Sequence, residues 1–131
     1  MIEIFIYKSR PNLHYVKISG EFTLEDTHSD YLYNYNHIST KEHVISIVHF
    51  VENATLSDFN VIKDLAHTTQ TFKHCFLEAS VVGLTGIQKM FFQAFTKLTP
   101  NLPYPIFLHN SLEEVEQKYT LSFKKFERVF P

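Results

Sequence analysis

The chain has no tryptophan, one cysteine and only 3 glycines in 131 residues. Each shortage removes a class of protein. A single thiol, Cys75, cannot form an internal disulfide, so the core alone must hold the fold. At the start of an apolar strand that thiol is expected to act as a small hydrophobe. Three glycines are too few for a glycine-rich loop wrapped around a nucleotide phosphate. Basic residues are sparse as well. Twelve Lys and Arg against 14 Asp and Glu give a net charge of −2, and no run of Lys or Arg exceeds two residues. Nucleic-acid binding needs a concentrated basic face, so none is expected. No apolar run reaches the ~20 residues that cross a bilayer. The opening Met-Ile-Glu-Ile-Phe-Ile carries an acid and is short for a secretory signal. A cytoplasmic protein with no transmembrane segment is expected.

What the chain does have is aromatic side chains, 13 Phe and 7 Tyr, within an apolar share of 44% and a charged share of 20%. Those proportions and that length fit one globular domain. The most organised stretch runs from Phe76 to Leu98. Phe76 to Val82 is an apolar strand without clean alternation, as expected where both faces of a sheet are covered. Gly83-Leu84-Thr85-Gly86 turns the chain, and Ile87 to Leu98 is an amphipathic helix. Its stripe is Ile87, Met90, Phe91, Ala94, Phe95 and Leu98. Phe92 falls on the polar side.

The other elements fall on either side of this unit. Ile2, Ile4 and Ile6 alternate along a first strand, and His14, Val16 and Ile18 along a second. The short Lys8–Asn12 connection makes the pair an antiparallel hairpin. A helix opens at Thr23 with a capping box to Asp26. Leu24, His28, Tyr31, Leu32, Tyr35 and Ile38 form its expected face, with Tyr33 off it. Val44 to Val51 is a central strand. A second box at Thr55 to Asp58 opens a helix with Phe59, Ile62, Leu65, Ala66 and Phe72 inward and Val61 at the flank. A short edge strand, Ile106 to Leu108, and a helix opened by Ser111 and Glu114 close the domain. Thr85 with Gln88 makes a weaker box. The order ββαβαβαβα specifies an α/β fold: a single-layer, mixed, mostly parallel five-stranded sheet flanked by about four helices. Residues 1–119 form the domain, and residues 120–131 an aromatic tail open to either a helix or a strand reading.

Val81-Val82-Gly83, then Leu84-Thr85-Gly86-Ile87-Gln88-Lys89, a helix, a short strand with Phe107 and a closing Ser111-Leu112-Glu113-Glu114 helix resemble the small bacterial STAS-like (SpoIIAA-like) proteins. The resemblance covers roughly residues 1–119. It implies a mixed sheet flanked by helices and a non-enzymatic regulatory or ligand-binding role. The best-understood members of that group are switched by phosphorylation of a serine in an Asp-Ser-Ser-Gly turn. Here that region reads Ala54-Thr55-Leu56-Ser57-Asp58-Phe59-Asn60, so the switch is not carried over to Ser57. Distant relatives of similar shape bind lipids or other apolar molecules.

No catalytic motif is legible. The chain lacks the Lys-Ser/Thr of a P-loop, the Gly-x-Ser-x-Gly of a hydrolase elbow and any His-Glu-x-x-His pair. Eight histidines have no metal-ligand spacing, and Glu25-Asp26 and Glu113-Glu114 sit in first helical turns, where they favour the helix dipole. The expectation is a non-enzymatic protein-interaction module, with a small-ligand or lipid carrier as the alternative, and with no cofactor and no metal. Its partner is a protein or a second copy of the chain, or a small apolar or anionic ligand. Parallel strands place their carboxyl ends on one edge. That makes Asn53, Thr55, Gly83, Thr85, Gly86, His109 and Asn110 the candidate binding rim, fed by three capped helices. Tyr33, Phe92, Phe123 and Phe126, off their stripes or in the tail, are the candidate interface aromatics.

Overall fold

The computed structural model describes all 131 residues. Its main sheet has six strands: β1 (Ile2–Tyr7), β2 (Arg10–Ile18), β4 (Val44–Phe50), β6 (Phe76–Val82), β7 (Ile106–His109) and β8 (Phe126–Phe130). A minor ribbon pairs β3 (Glu21–Phe22) with β5 (Thr55–Leu56). The four helices are α1 (Leu24–Tyr33), α2 (Phe59–Thr71), α3 (Ile87–Leu98) and α4 (Leu112–Tyr119). The order across the sheet is β7-β6-β4-β2-β1-β8. The four strands from β2 to β7 run parallel, and β1 and β8 are antiparallel to their neighbours. The fold is therefore the mixed, mostly parallel α/β sheet the element order specifies, with one strand more.

That strand comes from the tail. Phe126 opposes Tyr7 and Phe130 opposes Ile4, with a register shift between Ile4 and Phe5. The shift sends Phe126 to one face of the sheet and Phe130 to the other. Residues 120–131 thus belong to the sheet that residues 1–119 begin, and the five-stranded expectation is corrected to six.

Two apolar cores result. One face of the sheet, through Ile4, Ile18 and Val44, meets α1 and α2, with α3 on the same side. The other, through Leu13, Tyr15 and Ile47, meets α4 and the tail aromatics. Val115 of α4 and Ile47 of β4 are fully buried there.

Two helices are rotated from their expected faces. On α3 the residues turned inward are Gln88, Phe91, Phe92 and Phe95, whereas Ile87 and Met90 are 55% and 67% exposed. The Gln88 amide fixes this rotation. Its Oε1 accepts from the Thr85 backbone N–H at 3.1 Å, and its Nε2 donates to the Ala54 carbonyl at 2.7 Å. Phe91 and Phe95 of the expected stripe stay inward, and Phe92 and Gln88 replace Ile87 and Met90 beside them. On α1 the inward residues are Thr27, Asp30 and Tyr33, with Tyr31 of the expected face packed on Phe72, while Leu24 and Leu32 are exposed. A π-helical turn at Asn34–Ile38 follows and brings Ile38 back into the core.

The capping readings divide. Thr23 and Asp26 exchange both bonds of a capping box. Ser111 caps α4, accepting from the Glu114 N–H at 3.3 Å. The helix start expected at Thr55 is corrected. Thr55 lies in β5, and Asp58 caps α2. Gly86 precedes α3 with no side-chain cap. Phe59, expected inward, is 51% exposed, and Val61 is fully buried.

Candidate functional site

Between the sheet and the helices α1, α2 and α3 lies a cavity of about 190 Å³. Phe91, Phe92 and Phe95 of α3, which packs on α2, form one side of it, and strands of the main sheet form the other. Of the 29 lining residues 21 are hydrophobic, among them Val16, Val48, Val81 and Phe92. Its wall reaches the surface at exposed Thr55.

One part of the wall is polar. His14, from β2, is 2% exposed, and its Nδ1 lies 3.4 Å from the Tyr33 hydroxyl. Its Nε2 is buried without a hydrogen-bond partner. Burial lowers the His14 imidazole from 6.5 to about 4, so the ring is neutral at physiological pH. Burial likewise raises the Tyr33 phenol to about 12 and the Asp30 carboxyl to about 7, the latter opposed by the Asn34 amide. That amide donates to the Asp30 carbonyl at 2.8 Å and to its Oδ1 at 3.3 Å.

The expected rim forms in its backbone more than in its side chains. Gly83 packs against the end of β4 and meets the end of β7, its N–H 3.4 Å from the His109 carbonyl. Gln88 ties the turn before α3 to the loop after β4. Asn53 holds that loop with a φ of +71°. Thr85 and Asn110 are exposed, and their backbone N–H groups donate to Gln88 and Glu114. Among the seven rim residues only Thr55 lines the cavity. His109 turns to the opposite face of the sheet.

There His109 joins a polar chain that sequence spacing did not reveal. His109 Nε2 lies 3.2 Å from Ser80 Oγ, and its Nδ1 is 3.6 Å from Glu114. Ser80 Oγ is 2.6 Å from the Tyr119 hydroxyl, which donates to Glu78 at 2.8 Å. Lys118 pairs with Glu78 at 3.2 Å and lies over the Phe107 ring. Serine, histidine and glutamate are in triad order, but Ser80 has no exposed surface, being covered by α4. A nucleophile must touch its substrate. The chain joins β6, β7 and α4 through satisfied hydrogen bonds.

Of the four candidate interface aromatics, Tyr33 is buried, a correction to the reading of it as exposed, and the three phenylalanines are half-buried and packed within the protein. Tyr33 is 5% exposed and touches His14. Phe92 lines the cavity. Phe123 packs edge-on against Tyr15 at 4.9 Å, and Phe126 does the same against Tyr7 at 5.0 Å. The exposed apolar side chains of α3 are Ile87, Met90 and Leu98.

No three His, Cys, Asp or Glu side chains converge as a metal site, and no helix is long and apolar enough to cross a membrane. No family model matches the sequence, and no curated protein matches it. Among solved structures it matches that of an uncharacterised protein from the DUF3478 family with a SpoIIAA-like fold, from Shewanella loihica PV-4. The TM-score is 0.62 at 10% identity, over 90% of this chain and 94% of that one. At that identity the likeness is one of fold: the chain adopts a SpoIIAA-like architecture.

Proposed function

We propose that this chain is a non-enzymatic binding module, working in the cytoplasm, whose ligand is a small apolar molecule held between the sheet and α1 to α3. The observation that carries this reading is the cavity itself. Protein interiors are packed nearly as densely as organic crystals. Left dry and closed, a space of about 190 Å³ would cost up to roughly 5 kcal/mol by the usual cavity scaling. Apolar cavities of about 150 Å³ stay dry and take up benzene-sized molecules. A pocket of this lining therefore favours an apolar occupant over water. The absence of a legible catalytic motif and the burial of Ser80 favour binding over turnover.

Native mass spectrometry of the purified protein, followed by solvent extraction, tests the proposal. A co-purifying apolar molecule, or uptake of added toluene shown by shifts of the Val48 and Val81 methyl resonances, is the expected result. A clean mass together with unmoved methyls would overturn it.

A second reading, a module that works by contact with a protein or a second copy of itself, draws on the outward row Ile87, Met90 and Leu98. Sedimentation of the wild type and of Met90→Gln decides it. A strict monomer at high concentration in both removes self-association.

A further inference from the structure

We infer that the cavity selects an uncharged ligand, an apolar body of about eight non-hydrogen atoms carrying one hydroxyl that hydrogen-bonds to His14 Nε2. This rests on the reading of the cavity as a binding site. His14 is 2% exposed and its ring forms part of the cavity wall. Buried polar groups are nearly always paired, and an unpaired one costs about 1–3 kcal/mol. Nε2 is the one buried side-chain nitrogen or oxygen without a partner in the protein.

The chemistry of the partner follows from the ring. If the Tyr33 hydroxyl donates to Nδ1 across their 3.4 Å, Nε2 carries the proton and needs an acceptor. If Nδ1 carries the proton, Nε2 needs a donor. A hydroxyl answers either case, because it donates and accepts. A carboxylate answers only the first, and would shed its hydration beside the Asp30 carboxyl in an apolar wall. A hydrocarbon answers neither. Nε2 has almost no accessible surface of its own, so the ligand reaches it only when the imidazole turns toward the cavity.

Three probes of similar size separate these outcomes: p-cresol, toluene and benzoate, titrated into the full chain by calorimetry. A purely apolar cavity prefers toluene, because the phenolic hydroxyl loses water on entering. We expect the reverse here, p-cresol binding about five-fold more tightly than toluene and benzoate not binding. His14→Leu should restore the preference for toluene. Independently of that variant's folding, the His14 Nε2 resonance of the wild type should move with p-cresol and stay still with toluene. Toluene binding better than p-cresol, with Nε2 unmoved or held by an undisplaced water, overturns the hydroxyl assignment and leaves the cavity reading standing. Benzoate binding as well as p-cresol also overturns it. Failure of all three probes to move any cavity resonance overturns both.

Discussion

Gly83 shows how one residue can hold two elements together. Its φ is +84°, and a Cβ there would sit 2.6 Å from the Phe50 carbonyl oxygen. Conformation and space both demand glycine. Gly20, at φ +61°, has nothing within 4 Å of the same position, so only conformation is at stake. Gly20→Ala should therefore cost about 1 kcal/mol and Gly83→Ala roughly 3 kcal/mol or more. Denaturant melts of the two variants check this, and equal losses would mean that the close approach of β4 is relieved cheaply. Asp30 and His14 make a second residue-scale prediction. Enclosure raises Asp30 from 3.8 to about 7, so the folded chain keeps a proton that the unfolded chain releases. That stabilisation is complete below the unfolded value and is lost as pH rises through 7. His14, lowered from 6.5 to about 4, works the other way: stability falls as pH drops from its unfolded value toward its folded one. In the window they share, the two slopes oppose each other. Asp30→Asn should match the wild type near pH 4 and exceed it by roughly 2 kcal/mol at pH 8, allowing for partial exposure. A pH-independent difference in melts would show that the carboxyl is solvated.

At the scale of elements, the tail and the two rotated helices carry the lesson. β8 covers the edge of β1 and adds Phe126 and Phe130 to opposite cores. It is tied down by Arg128 to Glu3 at 3.0 Å and, just before it, by the Ser122 N–H to the Tyr7 hydroxyl at 3.2 Å. Removing residues 122–131 should lower stability by several kcal/mol, since three half-buried phenylalanines, Phe123, Phe126 and Phe130, leave with it. The bared β1 edge should also promote association. Melts and sedimentation of the truncated chain check both effects, and a stable monomer would show that β1 tolerates an open edge. The strand was not legible because its register shift breaks the period of two: Phe126 and Phe130, four apart, point to opposite faces. On α3, apolar residues occur on two sides, so periodicity alone could not choose between them. The choice came from Gln88, whose partner Ala54 lies 34 positions earlier in the chain.

For the whole molecule, the consequence is a cavity between the sheet and α1, α2 and α3. Val48, on the central strand β4, faces it. Val48→Phe should fill part of the space and regain about 1 kcal/mol, a rise of a few degrees in Tm. It should also abolish toluene uptake in the same calorimetric titration. A fall in Tm would indicate that the space is already closely packed.

The sequence by itself determined the order of the main strands and helices from β1 to α4, the β1–β2 hairpin, the parallel run through β4, β6 and β7, and the caps at Thr23 and Ser111. These rest on contacts a few residues apart and on strict periodicity. Tertiary structure alone decided which face α1 and α3 present, where the tail pairs, and that His109 joins Ser80 instead of a rim. It also placed His14 on a cavity wall. Each of these depends on partners dozens of positions away, such as Ala54 for Gln88 or β1 for β8, and local pattern carries no record of such distances.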